Sequence, residues 1–171
     1  RGQSNDEKIG EFAAGDIVNS QKLPRKYEAG GFNYKYYEGS WDSLPNFNSI
    51  NPVSVGLTSK EFTLKSLAKH ENFGCVFEGM IEIKEKCYYI FGLDSDDGSR
   101  MFFDDKLILE NDGLHGTGNA KSYIIPLEVG YYPIKIEYFQ KGGGADISFV
   151  YLKEGVWQAQ PYPIEQQYFR K

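Results

Sequence analysis

Asp94, Asp96 and Asp97 fall within four positions of a chain of 171 residues. Carboxylates so close repel by about 1 kcal/mol or more per close pair at surface dielectric unless a cation sits among them. Two kinds of chemistry use such a cluster. Oxygen ligands at a loop tip can converge on a hard cation such as calcium. Alternatively the cluster is a solvated turn, because Asp bonds its own backbone and Gly98 turns easily. The spacing Asp94-x-Asp96-Asp97-Gly98 is not that of an EF-hand loop, which needs a longer register of ligands closed by Glu. The remaining candidates for chemistry are weaker. His70 and His115 have no flanking ligand pattern, and His115 is expected to order its own loop. The Gly-rich run at 111–118 lacks the closing Lys-Ser or Lys-Thr of a phosphate cradle, and no Gly-x-Ser-x-Gly elbow occurs. The chain is therefore not expected to be an enzyme by itself, although its 24 acidic residues leave a spatial pair of carboxylates open.

The elements that must carry the aspartates are short and alternating. Tyr89, Phe91 and Leu93 share one face of a strand, the aspartates follow, and residues 99–103 lead away as a second strand. The acidic loop is expected at the tip of that hairpin. Upstream, Phe73, Cys75, Phe77, Gly79, Ile81 and Ile83 alternate with Glu78 and Glu82, and residues 84–86 read as a second hairpin connection. In that register Cys75 and Cys87 lie roughly 26 Å apart, too far for a disulfide, so both are expected to be free. Downstream, Asp104-Asp105 makes a tight turn into a strand at 106–110. Tyr132, Ile134, Ile136 and Tyr138 then point inward, with Lys135 and Glu137 outward. Residues 140–144 form a flexible connection to a last long strand at 145–152, and 161–169 form a proline-bearing tail. Strands also fit 32–37 and 53–57, and no segment of useful length has a helical period. Eight or nine short strands with regular turns predict an all-β fold, an antiparallel β-sandwich.

Composition agrees with this and limits the partners. Thirteen Tyr, 12 Phe and 19 Gly suit sheets and turns, and the net charge of −5 argues against nucleic acid or an anionic membrane surface. No run approaches the roughly 18 apolar residues of a membrane span. Residues 1–28 are polar and weakly patterned, expected as a leader or strap, with the sandwich occupying 29–171. The first residues lack a signal-peptide core and an initiator Met, as expected of a processed form or a piece of a longer chain.

Several linked motifs occur in one order: Phe77-Glu78-Gly79, Tyr89-x-Phe91, Ser95-Asp96-Asp97-Gly98-Ser99-Arg100, Asp104-x-Lys106-Leu107-x-Leu109, Asn111-Asp112-Gly113-x-His115, residues 130–139 and Gly142-Gly143-Gly144-Ala145. Together, across about residues 30–169, they resemble the protective-antigen-type (PA-fourteen) domain. The opening Tyr34 to Trp41 stretch is similar to the version appended to bacterial glycoside hydrolases, including β-hexosaminidases. The resemblance implies a β-sandwich that is usually exported and often binds carbohydrate. It also implies that adjacent aspartates, Asp96 and Asp97 here, hold calcium across a cis peptide while sugar hydroxyls complete the coordination. A second loop should supply an amide oxygen and backbone carbonyls. In this chain that loop begins Gln140-Lys141, so Gln140 is the candidate ligand, and Lys141 beside it departs from the pattern by repelling a cation. Trp41 and Trp157, expected in turn regions, suit a stacking platform for a sugar or a cap on the core rim.

The expected function is a non-catalytic, calcium-dependent carbohydrate-binding module with Asp96, Asp97, Gln140 and Trp41 at the glycan. It would be extracellular, cell-surface or periplasmic and would act beside a glycoside hydrolase domain. The alternative is a structural or protein-interaction module of a larger exported glycosidase.

Overall fold

A computed structural model describes residues 19–58 and 71–171. The first eighteen residues of the expected leader, and His70, lie outside the described residues. Twelve strands are described: β1 (Tyr27–Ala29), β2 (Asn33–Glu38), β3 (Ser54–Leu57), β4 (Phe73–Ile83), β5 (Cys87–Asp96), β6 (Ser99–Phe103), β7 (Lys106–Asn111), β8 (Lys121–Leu127), β9 (Gly130–Gln140), β10 (Asp146–Lys153), β11 (Val156–Pro161) and β12 (Gln167–Arg170). They form two antiparallel sheets. The larger has the order β1-β12-β4-β9-β6-β7, with β2 on β4 and β3 on β2; the smaller has the order β11-β10-β5-β8. The sandwich expected from alternation is thus present. Among the described residues no helix is long and apolar enough to cross a membrane.

The inward residues of both sheets build one core. Phe91 of the small sheet is fully buried, with ring centroids 5.6 Å from Phe103 of the large sheet, 5.9 Å from Phe149 and 6.2 Å from Tyr162. Tyr132, Ile134, Ile136 and Tyr138 are buried as the alternation of β9 requires. On the opposite face of the same strand Glu137 is buried too, because Arg100 lies across from it and donates from Nε at 2.6 Å. The turn between β6 and β7 has Asp104 and Asp105 at φ of 50° and 65°, the left-handed pair that a two-residue hairpin needs.

Two expected hairpins are not hairpins. β4 belongs to the large sheet and β5 to the small one, so residues 84–86 cross between sheets. The acidic loop crosses back in the same way, because β5 pairs with β8 and β10 while β6 pairs with β7 and β9. An alternating strand records which face is buried but not whether its chain neighbour pairs at its edge or packs against its face. Cys75 and Cys87 are both free, though they lie on different sheets and not at two positions of one hairpin. Three strands also escaped the pattern. β1 and β12 pair with one another, Tyr27 opposite Arg170, and β11 continues the small sheet and carries Trp157, which is a strand residue and 55% exposed.

Candidate functional site

β5, β7 and β9 all run toward one end of the sandwich, and β6, β8 and β10 start back from it. Their registers fix this: Asp96 lies opposite Asp146, and Ser99 lies opposite both Asn111 and Tyr138. The loops at 97–98, 112–120 and 141–145 therefore meet at that end. The segment after β2 joins them, since Leu44 N donates to Asp112 Oδ1 at 2.8 Å.

Gly98 is needed here because of close approach. A Cβ at this position would stand 2.5 Å from Phe139 Cε1, 2.8 Å from Asp112 Oδ1 and 2.9 Å from Gly113 N. The acidic loop is thereby pressed against its neighbour, and Phe139 N donates to Gly98 O at 3.0 Å. Ser95 and Ser99 hydroxyls bond at 2.7 Å beneath it.

Asp97 is buried and ties the loops together. Its Oδ1 accepts from His115 N at 3.2 Å and its Oδ2 from Lys141 N at 2.9 Å. Asp96 is placed differently. Tyr138 donates its hydroxyl to the Asp96 backbone carbonyl, the Asp96–Asp97 peptide is cis, and the Asp96 carboxylate faces the glycine loops. A Cβ at Gly144 would lie 3.4 Å from Asp96 Oδ2 and one at Gly116 4.0 Å away. Burial, and then the charge of Asp97, push the Asp96 carboxyl above its ordinary range; Asp146 adds to this and His115 opposes it. Asp94 serves the loop scaffold, accepting from Gly118 N at 3.0 Å.

His115 orders its own loop, as expected. Its Nε2 lies 2.7 Å from Asn111 O and its Nδ1 3.0 Å from Gly116 O. Burial lowers its pKa, but the two carbonyls and then the Asp97 and Asp96 charges outweigh this, so the pKa is raised. With a carbonyl at each ring nitrogen, the imidazolium is the form that donates to both.

The second loop meets the first at Lys141. Asp97 Oδ2 accepts its N–H, Asn72 N donates to its carbonyl at 3.2 Å, and its Nζ lies 2.5 Å from Asp42 Oδ1. The ammonium that should repel a cation is therefore paired with Asp42. Gln140 ends β9 opposite Phe73, is fully buried, and donates from Nε2 to Gly143 O at 3.2 Å, which braces the loop. Trp41 packs over Gly39 and edge-on to Phe47 at 5.9 Å, half-buried beside a small cluster of Tyr37, Phe47 and Val76. The structure thus gathers Asp96 and Asp97 with the Gln140 loop and brings the segment carrying Trp41 alongside. Asp42, Asp112 and Asp146 escaped sequence reasoning as site residues. The Asn111-Asp112-Gly113 motif was a local signal for Asp112, whereas only strand register reveals Asp146 and Asp42 had no local signal.

A hard cation fits these donors. Among the described residues no three His, Cys, Asp or Glu side chains are gathered for a metal. A cation would thus take two carboxylates and complete its shell with carbonyl, hydroxyl or water oxygens, which suits calcium better than zinc. The glycines facing Asp96 leave room for it. Each Asp97 oxygen accepts one backbone N–H in the contacts above and has further acceptor capacity.

A family model described as the PA14 domain matches residues 58–160. The chain belongs to the PA14 domain family. Comparison with curated proteins finds no match. Among solved structures, this PA14 domain is similar to an anti-sigma factor domain-containing protein, 22% identical, with TM-score 0.69 over 86% of this chain and 50% of that one. It thus spans about half the length of that protein. It is also similar to a PA14 sugar-binding domain from an RTX adhesin, 18% identical, TM-score 0.63, covering 82% of this chain and 98% of that one. A third neighbour is the A domain of epithelial adhesin 9 from Candida glabrata in complex with Galβ1-3GlcNAc, 14% identical, TM-score 0.68, covering 91% and 96%. At these identities the likeness speaks for the fold.

Proposed function

We propose that this PA14 domain is a non-catalytic carbohydrate-binding module in which Asp96 and Asp97 hold calcium and the ion presents its open positions to sugar hydroxyls. The observation that carries the reading is the placement of Asp96. It adjoins Asp97 in sequence, lies across from Asp146 in the strand register, and has glycines facing its outer oxygen. Like charges set directly across a strand pair are unfavourable, and a divalent ion offsets them. Vicinal hydroxyls are the ligands a partly open calcium shell takes most readily from a sugar. The family's sugar-binding neighbours support carbohydrate as the ligand class. In this reading Gln140 holds the second loop in shape through Gly143, and Trp41 forms part of the rim. The module works outside the cytoplasm, at the cell surface or in a periplasm, beside a glycan-degrading enzyme.

A glycan array tests it, probed with the wild-type domain in calcium, in excess chelator, and as Asp96→Asn. Calcium-dependent binding that disappears in the other two arms is expected; binding unaffected by the chelator would overturn the mechanism. One observation favours a second reading, a structural module of a longer protein. Asp97 caps two backbone amides, a scaffolding role that by itself requires no ligand, and an array blank in every arm would favour that reading.

A further inference from the structure

Lys141 is fixed by its backbone on both sides: its N–H is bonded to Asp97 Oδ2 at 2.9 Å, and its carbonyl accepts from Asn72 N at 3.2 Å. Its side chain therefore starts beside the acidic loop, on a flexible four-carbon stem that can turn toward any carboxylate in reach. The carboxylate it meets is Asp42, at 2.5 Å and 99 positions away in sequence. Asp42 lies on the segment after β2, which is itself stitched to the site two residues later by the Leu44–Asp112 bond of 2.8 Å. The pair is partly solvated, with Lys141 44% and Asp42 74% exposed at the side chain. It contributes little to folding, so its consequence lies in where it keeps the ammonium.

We propose that Asp42 is a positioning residue that holds the Lys141 ammonium off the Asp96 and Asp97 carboxylates and so keeps them open to a divalent cation. This rests on the calcium reading above. Without Asp42 the ammonium turns to the acidic loop, where it neutralises one carboxylate and repels an incoming ion. Lys141 thereby changes from a bystander into a tethered competitor of calcium. The segment after β2 becomes a fourth wall of the site, acting on the ion through Lys141 without touching it.

A double-mutant cycle isolates this effect. Calcium Kd is measured by calorimetry and by the calcium dependence of Tm for wild type, Asp42→Asn, Asp42→Glu, Lys141→Met and the Asp42→Asn/Lys141→Met double variant. Asp42→Asn should raise Kd about sixfold, the size of moving a unit positive charge from about 10 Å to about 6 Å from a divalent ion at an effective dielectric of about 40. Asp42→Glu should restore wild-type affinity. In the Lys141→Met background, Asp42→Asn should change Kd by less than about twofold, because the competitor is gone. Equal effects of Asp42→Asn in both backgrounds would show Asp42 acting merely as a charge and overturn the inference. A wild-type calcium response that Asp42→Asn leaves unchanged overturns it alone, whereas no calcium response in wild type overturns the calcium reading and this inference together.

Discussion

Replacing Gly98 by Ala tests whether the acidic loop is built as described. The added Cβ would meet Phe139 Cε1 at 2.5 Å, Asp112 Oδ1 at 2.8 Å and Gly113 N at 2.9 Å. One of these is backbone and another belongs to a buried ring, so the clash is not relieved by one flexible side chain swinging away. Overpacking of this kind costs about 1–3 kcal/mol. Asp112 Oδ1 also accepts from Leu44 N at 2.8 Å and Gly113 N at 2.7 Å, and each bond disturbed costs about 0.5–1.5 kcal/mol more. A loss of about 3 kcal/mol corresponds to a Tm lowered by about 6–12 °C in a domain of this size. The measurement is thermal unfolding followed by near-ultraviolet circular dichroism, since the aromatic core reports tertiary packing. A Tm within about 2 °C of wild type would mean that the loops at 97–98 and 112–113 do not press together, and the convergence argued above would fail.

Gly144→Ala makes the complementary test: its Cβ would lie 3.4 Å from Asp96 Oδ2, an ordinary contact. Calorimetry should find Tm nearly unchanged and calcium binding at least several-fold weaker because the space beside Asp96 is filled; unchanged calcium affinity would place the cation elsewhere. Asp146→Asn removes a charge opposite Asp96 and should raise the metal-free Tm by about 1–2 °C near neutral pH. The sign follows from the raised Asp96 pKa. The stabilisation from holding that proton is complete below the unfolded pKa of about 3.9 and is lost as pH rises through the folded value. The gain from Asp146→Asn should therefore fade near pH 3, and melts at the two pH values that show equal gains would contradict it. Cys75 is buried and its thiol is pushed up by burial, so in the native protein alkylation should reach half-buried Cys87 first, Cys75 following only on unfolding; a peptide map under non-reducing conditions should show no linkage between them.

The sandwich was legible because inward residues of β4, β5 and β9 alternate without interruption, a pattern a half-buried strand imposes whatever its neighbours. Pairing was legible only in part: Asp104-Asp105 marked the β6–β7 hairpin, but two other short connections misled. Residues 84–86 and 97–98 look like hairpin turns because they are short and polar, yet each carries the chain between sheets. β12 carries a four-residue pattern too short to read, and β11, with every residue exposed, shows no buried alternation. At the site, Asp96 and Asp97 were visible as a local charge cluster, and their motif order pointed to the family. Asp146 was not, because it reaches Asp96 only through the β5–β10 register, and neither was the Asp42–Lys141 pair, which joins distant loops. Geometry also separates the two adjacent aspartates: Asp97 caps backbone amides, while Asp96 presents an oxygen toward glycine. Asn at 97 would lose an acceptor for His115 N or Lys141 N and weaken the fold with or without an ion, so Asp96 is the position at which metal binding can be tested cleanly.

The most direct test is a calcium titration of Tm for wild type and Asp96→Asn, starting from protein freed of metal with a chelator. A ligand that binds only the folded state adds about 1.4 kcal/mol at ten times its Kd, so wild type should gain about 3–6 °C. Asp96→Asn should gain nothing, and in the absence of calcium it should melt at or above wild type because a repelling charge is gone. The two curves therefore cross as calcium is added. No wild-type shift at several millimolar calcium, or an equal shift in both proteins, would contradict a cation site at Asp96 and Asp97 and the calcium-dependent sugar binding built on it.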